Sequence, residues 1–183
     1  MQNRIITCAS FPSYQGSNIS IINNFIEFQG SLPHSDCFEV TLNNELLSIP
    51  YRIYFEEPST KQISHLNSEQ VNILNCFYTR HYNGYIRERK LKEIILVDNP
   101  VTVPFVIQLA GEYVYEILEI IYDHLNDLNK DNYKSFIAEN PIYYQKTRDR
   151  MISYWNCNYR KQYKDLRDYK GLQIFKYIER NLM

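Results

Sequence analysis

Residues 77–90, FYTRHYNGYIRERK, hold the side chains whose types most suggest chemistry: one histidine, three arginines and one lysine around an Asn-Gly pair. On a helix each residue turns about 100° from the last, so His81 lies on the apolar face with Leu74, and Arg87 lies close to Leu91. We therefore expect His81 and Arg87 to point inward. Arg89 and the neighbouring lysine are expected on the solvent side.

A third cation, Arg148, falls between Tyr144 and Met151 at helical spacing and is also expected to point inward. A buried arginine is costly without a partner, so it must meet a carboxylate, carbonyl oxygens or a ligand anion. If the chain is an enzyme, this chemistry implies an anionic substrate, with His81 as the acid or base and Arg87 and Arg148 holding the anion. The alternative is that the arginines form structural pairs.

Carboxylates recur every three or four positions between residues 112 and 123. They are Glu112, Glu116, Glu119 and Asp123. On one helix this spacing confines them, together with Gln108 four positions earlier, to a stripe about 80° wide. The stripe is interpreted as a solvated face, as a docking surface for a partner with a basic surface, or as the partner of the basic residues in the same chain.

The C-terminal quarter is basic and rich in tyrosine. Residues 142–183 hold ten basic and four acidic side chains, net +6, whereas residues 101–141 hold two and seven, net −5. Alternating bases and aromatic rings can hold phosphates and stack on nucleotides. The candidate nucleic-acid-binding residues are Arg160, Lys161, Tyr163, Lys164 and Arg167. Asp165 and Asp168 interrupt this run, and the isoelectric point near 6.4 is low for such a function.

Motifs that would identify a reaction or a bound group are absent from the sequence. There is no P-loop, no dinucleotide-binding glycine motif, no nucleophile elbow and no HExxH. His34 with Cys37, and Cys76 with His81, lack strong zinc-ligand spacing. We therefore expect no metal and no cofactor, and the missing motifs favour a chain that is not an enzyme.

Residues 68–96 resemble a single unit of a HEAT-type helical repeat. Asn83, Ile86 and Arg87 match the pattern of that family, in which an Asp or Asn precedes a Val-Arg pair by three positions. Lys90 and Glu93 stand where the family usually has alanine, and the match covers one copy. The resemblance implies a scaffold that binds protein or nucleic acid.

The residues described above must be positioned by strands and helices. The sequence patterns predict an α+β fold: a small N-terminal antiparallel sheet followed by a bundle of about five helices. Residues 18–58 are mainly β, with a strand from Asn18 and a hairpin around Asn43-Asn44. Residues 66–182 are mainly α, with Ser68 as a helix cap, one long helix over 105–128 and another starting at Pro141. The whole chain, 1–183, is predicted to be a single domain.

Composition is that of a globular protein, with 44% apolar and 22% charged residues. No apolar run is long enough to span a membrane, no secretory signal is recognisable, and the four cysteines form no close pair. We therefore expect a cytoplasmic, non-catalytic protein-binding domain, of which a toxin-neutralising immunity-type inhibitor is one version. The nucleic-acid-binding protein and the enzyme stay as alternatives, and the sequence leaves the oligomeric state open.

Overall fold

The computed structural model describes residues 8–24 and 35–182, and it confirms the α+β class. The chain forms two compact units, Met1–Ile94 and Ile95–Met183. The single domain expected over 1–183 stays a prediction, and each unit is described by itself.

The first unit contains a helix where a strand is expected. Helix α1 spans Gly16–Asn23, so the predicted strand from Asn18 is wrong over these residues. Ile19 and Ile22 are buried three positions apart, which is the spacing of one helix face and not of one strand face. The β-branched composition favours a strand, but packing outweighs that local preference. The rest of the predicted strand, 25–30, lies outside the described residues.

The hairpin expected around Asn43-Asn44 is present. Strands β1 (Cys37–Leu42) and β2 (Glu45–Pro50) pair antiparallel. Asn43 and Asn44 have φ of 52° and 64°, as a tight two-residue hairpin turn requires. Beyond β2, Ile53 forms a single parallel bridge with His81, so this segment fixes the corner that contains the histidine.

That corner lies between two helices of equal length. After a short helix, α2 (Thr60–Ile63), come α3 (Ser68–Tyr78) and α4 (Gly84–Ile94), which pack on each other. The cap of α3 is Asn67 and not Ser68, because the Asn67 side chain accepts from the backbone N–H of Gln70 at 2.9 Å. The break at Asn83-Gly84 is as expected, and the resemblance to a HEAT-type unit stays a prediction.

The described part of the second unit, 95–182, contains five α-helices: α5 (Val103–Ala110), α6 (Tyr115–Asp123), α7 (Lys130–Glu139), α8 (Pro141–Tyr154) and α9 (Lys170–Asn181). Helix α6 packs on α5 and α9, and α8 packs on α5 and α9. Helix α8 begins at Pro141 as expected, and a π-helical turn, Trp155–Tyr159, follows it. Across the described ranges, 8–24 and 35–182, every helix is too short or too polar to cross a bilayer.

The single long helix predicted over 105–128 is wrong, because α5 ends at Ala110 and α6 starts at Tyr115. Arg150 stabilises this break between the two helices. Its Nε and Nη2 donate to the carbonyl oxygens of Gly111 and Gln108, at 3.1 and 3.2 Å. A Cβ on Gly111 would lie 2.8 Å from the Arg150 Nη2 atom and from Thr147. Glycine is therefore required here by the close approach of α8.

Candidate functional site

His81 is buried at the corner between α3 and α4, with both ring nitrogens bonded to the backbone. The N–H of Asn83 donates to Nδ1 at 3.1 Å, and Nε2 lies 3.1 Å from the carbonyl oxygen of Phe55. Because Nδ1 accepts, the proton is on Nε2 and the ring is neutral. Burial lowers the pKa of His81 below its usual value. The inward orientation of His81 agrees with the prediction, and both ring nitrogens make hydrogen bonds that stabilise this corner.

Two cations close to His81, Arg87 and Lys90, also make contacts within the first unit. Arg87 is buried as expected, and its Nη1 donates to the carbonyl oxygens of His81 and Tyr82, both at 2.9 Å. Lys90 was expected in solvent and is buried, because its Nζ lies 3.0 Å from Asn75 Oδ1 and 3.1 Å from Glu57 Oε1. These contacts explain both cations as parts of the structure. A catalytic role for His81 and Arg87 stays a prediction.

Arg148 belongs to the second unit and is half-buried, so it is less enclosed than His81 and Arg87, which were expected to point inward with it. Its Nε lies 3.2 Å from Glu179 Oε1, and the two side chains are 30% and 39% exposed. The carboxylate comes from α9, which packs on α8. This is the intramolecular pair that the sequence allowed as the structural alternative.

Three of the four predicted acidic residues lie on one face of α6, and Glu112 does not. Glu112 is buried in the turn between α5 and α6, and Glu119 Oε1 accepts from Lys170 Nζ at 2.8 Å. Glu116 and Asp123 are exposed on α6, and within the described part of the chain neither makes a hydrogen bond or an ion pair. Glu112 is therefore buried and Glu119 is paired within the fold, whereas Glu116 and Asp123 are exposed to solvent.

The basic C-terminal segment uses its aromatic rings internally. Tyr163 stacks on Tyr115 at 5.5 Å between ring centroids, and Tyr159 stacks on Tyr169 at 5.4 Å. Tyr169 is fully buried, which raises the pKa of its phenol. The rings contact one another, and this leaves less ring surface for stacking on bases.

The cations of that segment differ in their contacts. Arg167 binds Asp165 through Nε at 2.8 Å, and the hydrogen bond holds the pKa of that carboxyl at about 2. Arg160 lies over the Trp155 ring at 5.7 Å. Lys161 and Lys164 are exposed. All four cations are therefore exposed to solvent, and two of them, Arg160 and Arg167, also have partners within the segment.

A cleft of about 510 Å³ lies between α6 and α9. Tyr122 and Asp123 form one wall, and Lys176, Tyr177 and Arg180 of α9 form the other. Sequence reasoning missed this cleft because it depends on two helices about fifty residues apart meeting. The spacing of Lys176 and Arg180, one turn apart on α9, was the signal that could have indicated a shared cationic face.

A smaller cleft of about 270 Å³ surrounds Asp98. The side-chain amides of Asn129 and Asn132 both donate to Asp98 Oδ1, at 2.7 and 3.0 Å. The carboxylate is thus bound within the fold.

Metal-binding residues do not converge in the described ranges, since no group of three or more His, Cys, Asp or Glu side chains there could hold an ion. Cys37, Cys76 and Cys157 are free thiols, whereas His34 lies outside the described residues. No family model, no curated protein and no solved structure matches the chain.

Proposed function

We propose that the chain is a non-catalytic protein-binding domain that recognises a basic partner through the exposed face of α6. The observation that carries this proposal is the pair of open carboxylates on Glu116 and Asp123. They are seven residues apart, so they lie within about 20° on the same helix face, two turns from each other. Tyr113 and Tyr122 flank them and are 43% and 39% exposed.

The position of Asp123 supports a role outside the fold. It is the last residue of α6, where the helix carbonyls create a negative potential that disfavours a carboxylate. A lysine or arginine of a partner would relieve that repulsion. Exposed tyrosines beside the carboxylates suit an interface, since tyrosine is enriched at binding surfaces. An immunity-type inhibitor fits this chemistry, because an acidic surface can cover the basic site of a toxin.

The test is site-specific photo-crosslinking of the full chain in its native host. A photoreactive phenylalanine analogue is placed at position 113, where Tyr113 is 43% exposed beside Glu116, and, as a control, at position 134 on α7, where Lys134 is also exposed in the same unit. Both carboxylates of α6 are thereby kept. We expect one defined protein product at position 113 that weakens as salt is added, because exposed charges are screened. Identical products at both positions, or none at 113, would refute the proposal.

A further inference from the structure

We infer that the cleft between α6 and α9 holds a mixed-charge peptide segment of the partner, with a basic side chain at Asp123 and an acidic one at Lys176 and Arg180. The inference rests on the proposed function and names the chemistry of the bound segment. The cleft is continuous with the acidic face of α6, because Asp123 belongs to both.

The cations that line one wall of the cleft are available to a ligand. Lys176 and Arg180 are one turn apart on α9, and neither makes a hydrogen bond or an ion pair with any described residue. Lys170, at the start of the same helix, differs: Glu119 binds it at 2.8 Å, and it lies 5.5 Å from the Tyr122 ring centroid. On helix α9, Lys170 is therefore paired within the fold, whereas Lys176 and Arg180 line the cleft without such a pair among the described residues.

The opposite wall has the opposite sign. Asp123 lines the cleft at the end of α6, yet it forms no ion pair with Lys176 or Arg180 across it. A ligand of one sign would be attracted by one wall and repelled by the other. A segment that carries both signs satisfies both walls, which is how charge complementarity selects a partner.

The remaining polar groups of the cleft suit a peptide backbone. Asn126, Gln173 and Asn181 line it, and an amide side chain can both donate to a carbonyl and accept from an N–H. The Gln173 and Asn181 nitrogens already donate to the carbonyls of Arg167 and Tyr177, so their oxygens are available to accept. The volume of about 510 Å³ lies within the range of ligand sites and suits a few residues.

A nucleotide is the other ligand class with matching parts, since it has a phosphate for the cations and a base for the tyrosines. It fits less well for two reasons. Lys170 lies over the ring of Tyr122, which limits stacking there, and Asp123 would repel a phosphate. The peptide is therefore the proposal, and the nucleotide is one outcome of the test.

The test is a titration of the isotope-labelled full chain, followed by NMR amide shifts. The probes are capped pentapeptides with lysine at one end and glutamate at the other, in both orders, compared with peptides carrying two lysines or two glutamates and with adenosine monophosphate. We expect a mixed-charge peptide to bind most tightly and to shift the amides of residues 122–126 and 173–181.

Variants identify the groups responsible. Lys176→Glu with Arg180→Glu should weaken the mixed-charge peptide by about 2- to 25-fold, the product of two exposed ion pairs. Lys134→Glu on α7 is the matched control and should leave binding unchanged. Lys176→Gln with Arg180→Gln repeats the test without introducing negative charge, should the reversal disturb folding.

The inference is overturned if the two-glutamate peptide or adenosine monophosphate binds as tightly as the mixed peptide, or if the α9 variants bind like Lys134→Glu. The two proposals fail separately. Crosslinking at position 113 without a mixed-charge preference removes the cleft assignment alone. A mixed-charge preference without crosslinking at 113 removes the α6 proposal.

Discussion

Lys170 Nζ lies 2.8 Å from Glu119 Oε1 and thereby ties the start of α9 to the middle of α6. Glu119 is the member of the predicted acidic stripe that pairs with the basic C-terminal quarter. The carboxylate raises the pKa of Lys170 above its ordinary value. Glu116, one turn earlier on α6, makes no such contact within the described residues. The same helix therefore has one acid that is paired within the fold and another that is exposed to solvent.

Substitutions at these two positions should separate stability from binding. Glu119→Gln should lower the free energy of unfolding by about 0.2–1 kcal/mol, the usual contribution of a partly exposed ion pair. Glu116→Gln should leave that free energy within about 0.5 kcal/mol of wild type, because it removes no contact. Urea unfolding measures both. A larger loss for Glu116→Gln than for Glu119→Gln would contradict this division.

The end of α5 should be intolerant of any side chain at position 111. Gly111→Ala places a Cβ within 3 Å of Arg150 and of both the side chain and the backbone oxygen of Thr147. Overpacking of this kind costs about 1–3 kcal/mol. Gly16→Ala is the control, since nothing lies within 4 Å of a Cβ there and alanine favours a helix. Thermal unfolding should show a lower Tm for Gly111→Ala and an unchanged or higher Tm for Gly16→Ala.

Acid should destabilise the corner between α3 and α4 through His81. Burial lowers the pKa of this histidine in the folded state, so the unfolded chain binds the extra proton more readily. The contribution of His81 to the free energy of unfolding is constant above about pH 6.5. As the pH falls below that value, this contribution decreases by at most about 1.4 kcal/mol per pH unit. Glu56 and Glu57 act against the shift, and Arg87 acts with it.

His81→Gln tests that assignment by removing the titrating group. Chemical unfolding measured between pH 7.5 and 5 should show a shallower loss of stability for the variant than for wild type. The same acid dependence in both proteins would show that another group is responsible.

The basic C-terminal segment should serve packing more than nucleic-acid binding. Tyr163→Ala removes a ring stacked on Tyr115 and should cost at least about 0.5–1.5 kcal/mol, the contribution of an aromatic pair beyond its buried area. Gel-shift assays with single-stranded RNA and DNA should show no strong binding at low salt. Tight binding that falls steeply with salt, and that Lys161→Glu with Lys164→Glu abolishes, would favour the nucleic-acid alternative.

Features encoded by adjacent residues were predictable from the sequence. The hairpin follows from Asn43-Asn44, which accept positive φ, and the start of α8 follows from Asn140-Pro141. The burial of Arg87 follows from helical spacing, whereas His81 lies beyond the end of α3 at Tyr78 and is buried through its bridge to Ile53. The hairpin, the start of α8 and the burial of Arg87 each depend on chemistry within one or two turns of chain.

Features that depend on distant residues were not predictable. Helix α5 ends where Arg150, thirty-nine positions away, binds its last carbonyls. Lys90 is buried because Glu57 and Asn75 reach it from other segments. The cleft between α6 and α9 exists because those helices pack together, which spacing along one helix does not reveal.

The proposed binding face of α6 is tested most directly by photo-crosslinking at position 113, which keeps the carboxylate of Glu116, in three backgrounds of the full chain: wild type, Asp123→Lys and Glu93→Lys. Glu93 is exposed on α4 in the first unit and serves as the charge-matched control. We expect a defined protein product in wild type and in Glu93→Lys, and a loss of about fivefold or more in Asp123→Lys, because a lysine there repels a basic partner. An equal yield in all three backgrounds would contradict the proposal that the acidic face of α6 recognises a basic protein.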